Sequence, residues 1–383
     1  MIERNISNKV LDLSKKFPVL TITGPRQSGK TTLCKMLFPE KQYVNLEDLE
    51  ERHFAIEDPK GFLNRFPDGA IIDEIQYVPE LMSFIQVIVD EKNKEGLFIL
   101  TGSQQFEMLE SITQSLAGRT AIIKLLPFSL NEAYHNLTDV SVYEVLFTGF
   151  FPRIFDKNIN PSDMASFYIT TYLERDVRKI INIKDLTKFS IFLKLLAGRT
   201  AQLLNLTAIS DECGVSHNTI KSWISVLEAS YIIKLQRPFY KNLNKRLIKT
   251  PKIYFLDTGL LCYLLGIKNY EQLQIHPLKG EIFETFVVAE MLKNRFNMCE
   301  QDNLYFYREH SGKEIDVIID KGITIDLLEI KLSQTFSEKF LKNFNYFPEN
   351  NFNSVFKKIV YSGDKSFTYK NVEIYSWKDV GKL

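Results

Sequence analysis

The hydrophobic pattern changes character twice along this chain. Up to about residue 160, short apolar runs at 19–23, 43–45, 70–72, 97–101 and 120–124 alternate with stretches of helical spacing such as 81–91. Apolar runs of this length suit strands buried on both faces, and their alternation with helices predicts a parallel sheet covered by helices. From about 162 to 227 the spacing is mainly helical. From about 280 a long amphipathic helix leads into β-like runs at 304–308, 314–320, 323–331 and 358–361. Three parts are expected: an α/β domain over 1–160, a helical module over 161–275 and a second α/β domain over 276–383.

Chemistry first appears between the first strand and the helix that follows it. Gly24-Pro25-Arg26-Gln27-Ser28-Gly29-Lys30-Thr31 fits G-x-x-x-x-G-K-[ST], with Thr32 continuing into the helix. Glycines at 24 and 29 let the backbone bend around an anion, and the N–H groups at a helix start point toward it. Lys30 is expected to reach the β- and γ-phosphates of a nucleoside triphosphate, and the Thr31 hydroxyl to bind Mg²⁺. Hydrolysis also needs a metal-holding acid and a group that activates water. The strand at 70–72 ends in Asp73-Glu74: Asp73 would hold Mg²⁺ and Glu74 would polarise the attacking water. The next strand ends in Thr101-Gly102-Ser103-Gln104, where Ser103, with Gln104 as the alternative, would sense the γ-phosphate. Arg119 is either a donor to transition-state charge, in cis or from a neighbouring subunit, or a surface salt-bridge former.

Two later segments carry weaker signals. Over 206–228 a short helix reaches Cys213, Gly214 makes a turn, and Ser216 caps a second helix. Ile220, Trp223, Ile224 and Leu227 recur at helical spacing and face a core, leaving His217, Asn218, Lys221, Ser222 and Ser225 outward, as on a recognition helix. Residues 235–240 with Lys241, Lys245 and Arg246 suggest a basic wing, so the pattern is that of a winged helix, serving either as a DNA contact or as a connector. In the last part, Asp316 and the Glu329-Ile330-Lys331 triplet suit neighbouring strands of one hairpin. Positions i and i+2 share a strand face, so Glu329 and Lys331 point together. Asp316 and Glu329 would then bind Mg²⁺, with Lys331 at a reacting phosphate and one of Glu281, Glu284 or Glu290 completing the site; Glu284 is the chosen third ligand. The bland alternative is a solvated sheet face.

Composition narrows the setting. The net charge of +1 gives no global attraction to nucleic acid, so any DNA contact must be local. Four scattered cysteines without C-x-x-C spacing argue against a disulfide framework or a zinc site and fit a reducing compartment. The start Met1-Ile2-Glu3-Arg4-Asn5 lacks the apolar core of a signal peptide, and no apolar stretch approaches the roughly 20 residues that span a bilayer. A cytoplasmic location without a membrane partner is the expectation.

Together these residues resemble a widespread bacterial and archaeal family of AAA-type ATPases with a C-terminal domain of formerly unknown function. Further markers are Gly149-Phe150-Phe151-Pro152, Tyr172-Leu173-Glu174-Arg175-Asp176 and Lys252–Leu260 with Asp257-Thr258-Gly259-Leu260. The resemblance implies a P-loop NTPase domain, a winged helix and an α/β restriction-endonuclease-like domain similar to PD-(D/E)XK nucleases. Lys30, Thr31, Asp73 and Glu74 match the family's ATPase positions, and Asp316, Glu329 and Lys331 its nuclease-like ones. The Pro-Asp dipeptide of the nuclease name is absent, because Ile315 precedes Asp316. The leading expectation is an ATP-hydrolysing protein acting on DNA, with ATP and Mg²⁺ bound and a homo-oligomer or protein partner. The alternative is a nucleotide-switched regulatory binding protein with an inert C-terminal domain.

Overall fold

The computed structural model describes residues 2–103, 115–172, 185–239, 249–349 and 352–383. They divide into two compact units: one of 1–128, 229–231 and 295–300, the other of 129–228, 232–294 and 301–383.

The first unit is built on a five-stranded sheet. Its strands are β1 (Val19–Thr23), β2 (Gln42–Asn45), β3 (Ala70–Asp73), β4 (Phe98–Gly102) and β5 (Thr120–Lys124), in the spatial order β2-β3-β4-β1-β5. Every pairing is parallel, which requires a crossover between each strand and the next. Alternate side chains feed two cores. Leu20, Ile22, Ile71, Ile99 and Ile123 pack with Ile6, Val10, Leu33 and Cys34, which belong to the N-terminal turn and the helices Ser7–Ser14 and Lys30–Leu37. Val19, Ala70, Ile72, Phe98 and Leu100 pack on the opposite face with Phe62 and with Leu81, Met82, Ile85 and Val89 of the helix Leu81–Lys92. This is the helix-covered parallel sheet expected from the pattern. A common strand direction brings the carboxyl ends of β1, β3 and β4, and so Gly24, Asp73 and Ser103, to one edge.

The second unit is helical in its first half. The helices Leu206–Cys213 and His217–Ala229 are joined by a turn in which Gly214 takes φ +61°, and Ser216 Oγ accepts the Thr219 N–H at 3.1 Å. Ile220, Trp223, Ile224 and Leu227 are buried as the spacing predicts. Trp223 packs against Phe189 and Phe192 of the helix Leu186–Ala197, at 5.2 and 5.1 Å between ring centroids. His217, Asn218, Lys221, Ser222 and Ser225 are exposed.

The remainder forms an eight-stranded mixed sheet from β6 (Ile233–Pro238), β7 (Lys252–Phe255), β8 (Leu304–Arg308), β9 (Glu314–Asp320), β10 (Thr324–Lys331), β11 (Ser354–Tyr361), β12 (Phe367–Tyr369) and β13 (Val372–Ser376). Its order is β12-β13-β11-β10-β9-β8-β6-β7. β9 and β10 are an antiparallel hairpin, as the spacing predicts. β6, read in the sequence as a wing, pairs antiparallel with β7 and parallel with β8, and so belongs to the C-terminal sheet. The wing cations Lys241, Lys245 and Arg246 lie outside the described residues, as do Gln104 and the marker residues 173–176. Among the described residues no helix is long and apolar enough to cross a membrane.

Candidate functional site

Gly24 opens the loop after β1. Its φ is +152°, and a Cβ there would fall 2.0 Å from the Leu125 carbonyl oxygen, so the close approach of two backbones demands glycine. Pro25 and Ser28 are buried, Arg26 contacts Glu47 at 3.4 Å, and Gln27 takes φ +62°. Gly29 caps the helix Lys30–Leu37 with φ +91° and no side-chain hydrogen bond to its first N–H groups. A helix start left uncapped is a ready anion site. Lys30 is buried, and its ammonium donates to the carbonyls of Gly24 at 3.0 Å and Pro25 at 2.9 Å. Burial pushes its pKa below the ordinary lysine value, while Glu74 and Asp73 pull it back up. Thr32, by contrast, is exposed.

Asp73, at the end of β3, is the hub of the site. Its Oδ2 accepts the hydroxyls of Thr31 and Tyr43, each at 2.8 Å, and its Oδ1 accepts that of Thr101. Glu74 leaves the strand at φ +56°, a left-handed conformation uncommon for a residue with a side chain. Its carboxylate accepts from Ser103 Oγ at 3.1 Å and from Gln76 Nε2. Ser103, expected to sense a γ-phosphate, therefore stands against the candidate base. Tyr43, Thr101 and Gln76 are members of the site that sequence reasoning missed. They approach from neighbouring strands at separations that no motif fixes, although hydroxyl residues at strand ends beside Asp73 were a usable signal.

Arg119 is not brought to this site. It directly precedes Thr120, which pairs with Val19 at the start of β1, whereas the loop follows Thr23 at the end of β1. Five strand residues separate the two levels, roughly 16 Å at about 3.3 Å per residue. Arg119 instead grips Asp90 with a two-pronged contact, Nε to Oδ1 at 2.6 Å and Nη2 to Oδ2 at 2.8 Å. Of the roles left open for it, the chain's own geometry gives it the surface salt bridge.

The second constellation lies on the hairpin of the other unit. Leu328 pairs with Val317, and one position further Glu329 and Asp316 leave the ladder side by side. The Asp316 carboxylate accepts the Ile330 N–H at 2.8 Å, and Lys331 reaches Glu329 at 2.7 Å and Asp316 at 3.2 Å. Glu329 is 0% exposed; Oε2 accepts from Asn343 at 3.0 Å, and Oε1 is buried without a hydrogen-bond partner among the described residues. Burial first, and then the neighbouring Asp316 charge, push the Glu329 pKa well above the ordinary carboxylate range.

Glu284, chosen as third metal ligand, is otherwise engaged. Its Oε1 accepts from Lys252 at 2.9 Å and from the Tyr254 hydroxyl at 2.7 Å, and Lys252, only 2% exposed, also pairs with Glu314. Among the described residues no group of three or more His, Cys, Asp or Glu side chains converges at metal-holding distance. Lys331 thus bridges the Asp316–Glu329 pair, while Lys252 and Tyr254 hold Glu284 close enough to feel the Asp316 charge. Glu290, another candidate, is occupied by Lys293 and by the Leu130 N–H, each at 2.7 Å. Lys252, Tyr254 and Glu314 lie in segments that carry the resemblance, but their contacts escaped sequence reading because β7 lies about sixty positions upstream of β9.

Comparison with known families places the two constellations in separate segments. Residues 16–134 match the family model described as an AAA domain, 140–271 a domain of unknown function (DUF8612), and 279–380 a domain of unknown function (DUF4143). The loop, Asp73 and Glu74 all fall in the first segment, the one similar to an AAA domain. The chain is similar to uncharacterized proteins of Mycobacterium bovis and Mycobacterium tuberculosis, each 28% identical over 326 residues, covering 84% of this chain and 71% of the relative. Among solved structures, a Walker-type ATPase of Pyrococcus abyssi aligns at TM-score 0.35 and 16% identity, covering 69% of this chain and 96% of that one. The Thermotoga maritima RuvB Holliday junction branch migration motor aligns at TM-score 0.32 and 18% identity, covering 61% and 90%. AMPPCP-bound DnaA from Aquifex aeolicus aligns at 0.30 and 14%, covering 58% and 85%.

Proposed function

We propose that this chain is a Mg²⁺-dependent ATP hydrolase that acts on DNA. The observation that carries the ATPase reading is the convergence of Thr31 on Asp73 at 2.8 Å, beside a buried Lys30 whose ammonium rests on neutral loop carbonyls. A hydroxyl and a carboxylate in contact are the hard oxygen donors that Mg²⁺ takes with nucleotide phosphates. Bound there, the ion would neutralise phosphate charge. Lys30 would exchange the Gly24 and Pro25 carbonyls for phosphate oxygens, recovering the interaction that burial removed. The uncapped N–H groups of the helix start would hold the same phosphates. Glu74, oriented by Ser103 and Gln76, would take the proton of the attacking water.

Action on DNA is supported by the exposed face of the helix His217–Ala229, with Lys221 among its polar residues, and by the Asp316–Glu329 pair. The partnerless Glu329 oxygen suits a divalent cation, since Mg²⁺ commonly takes one or two protein carboxylates and completes its shell with water and phosphate. Lys331 would then contact the scissile phosphate. One observation favours the second reading, a nucleotide-switched binding protein with an inert C-terminal domain: Lys331 bridges both carboxylates while Lys252 holds Glu284. Incubating the full chain with labelled single-stranded, duplex and branched DNAs, with and without ATP and Mg²⁺, separates the readings. Products that disappear in Glu329→Gln support the first. ATP-dependent binding without any product supports the second.

A further inference from the structure

We propose that Arg4, from the segment ahead of the first helix, is a positioning residue of the nucleotide site; this rests on the ATP-binding reading above. Arg4 is 5% exposed and 24 positions before the residue it grips. Its Nη1 donates to the Ser28 carbonyl inside the phosphate-binding loop at 2.8 Å, and its Nη2 donates to the Leu126 carbonyl at 2.8 Å. The guanidinium also lies over the Phe128 ring, 4.9 Å from its centroid. Its own backbone is fixed in turn. The Arg4 carbonyl accepts the Ser7 N–H at 3.0 Å, and Ile6 and Val10 are sealed in the core with Leu33 and Cys34 of the helix that follows the loop.

The chemistry follows from the peptide plane. In a trans peptide the carbonyl of one residue and the N–H of the next point in opposite directions, and the chain has no cis peptide among its described residues. Turning the Ser28 carbonyl to Arg4 therefore turns the Gly29 N–H the other way, away from Arg4. Gly29, at φ +91°, has the conformational freedom to let that plane rotate. A rigid two-pronged donor spanning Ser28 and Leu126 removes this freedom, and a lysine would not, because a single ammonium lacks the planar fork. Arg4 thus holds the loop in its anion-binding form before the nucleotide arrives.

The test compares the full chain with Arg4→Met and Arg4→Lys by titrating a fluorescent N-methylanthraniloyl ATP in the presence of Mg²⁺, alongside steady-state turnover. Arg4→Met should raise the Kd and the KM about tenfold, the size of one charge-assisted hydrogen bond, with kcat at saturating ATP unchanged. Arg4→Lys should fall between, and millimolar methylguanidinium should restore affinity to Arg4→Met alone. Equal Kd values for the wild type and Arg4→Met would overturn the proposal. So would a rise in Kd that methylguanidinium leaves untouched and that tracks a general drop in melting temperature, since Arg4 would then only hold the fold. A wild type that fails to bind the analogue at all would instead remove the nucleotide reading, and this inference with it.

Discussion

Asp73 meets its partners in two different ways, and the difference decides what the chain reveals before it folds. Thr31 is found from the sequence because the loop motif fixes its distance from Lys30, and Asp73 because a strand ending in two acids marks it. Tyr43 and Thr101 reach the same carboxylate from β2 and β4, and only the strand order puts them there. At this scale Lys30→Ala should weaken ATP binding by roughly 1.5–3 kcal/mol, the worth of a charge-assisted contact, which isothermal titration would report. For Arg119 the sequence left two roles open, and only the fold bears on the choice. The resemblance offered a transition-state arginine, but strand register sets it a strand length from the loop. Its bidentate contact with Asp90 is part-exposed, so Arg119→Ala should leave the urea-unfolding midpoint almost unchanged. It should leave turnover unchanged at high dilution. Turnover that vanishes in Arg119→Ala and recovers on mixing with Lys30→Ala would show that the residue serves a neighbouring subunit.

At the scale of elements, hairpins were legible and sheet membership was not. The interval of 13 positions between Asp316 and Glu329 is enough to predict that two strands bring them together. Nothing in the spacing shows that β6 joins β8, because that pairing spans some seventy residues. The marker residues Gly149–Pro152 and Asp257–Leu260 are explained here as well. Asp257 accepts the N–H groups of Phe150 at 2.7 Å and Leu260 at 2.8 Å, and a Cβ on Gly149 would come within 2.6 Å of its carboxylate. They are a buried joint rather than chemistry. Asp257→Ala should destabilise the chain by about 2–6 kcal/mol, since each of the two buried N–H groups left without an acceptor costs roughly 1–3 kcal/mol, and urea unfolding would measure it. For the hairpin, Mg²⁺ or Mn²⁺ should raise the melting temperature of the nucleotide-free chain carrying Asp73→Asn, with Asp316→Asn and Glu329→Gln each abolishing the rise. Melts that ignore both ions in every variant would mean that Lys331 alone neutralises the pair.

For the whole molecule, charge is a poor guide. A net +1 is compatible with a local basic face, so DNA affinity must be measured through its salt dependence. Neutralising Lys221, Lys241, Lys245 and Arg246 together should flatten the slope of log K against log salt by about 0.9 for each DNA phosphate that the protein ceases to neutralise. An unaltered slope would make the helical module a connector. Hydrolysis at the first unit is tested most directly by single-turnover cleavage of γ-labelled ATP by the wild type and Glu74→Gln. The wild type should release phosphate only with Mg²⁺ present, and Glu74→Gln should bind ATP normally but release phosphate about 10²–10⁴-fold more slowly. Equal single-turnover rates in the two proteins would contradict the role given to Glu74, and a wild type that binds ATP without ever releasing phosphate would leave a nucleotide-binding switch in place of an ATPase.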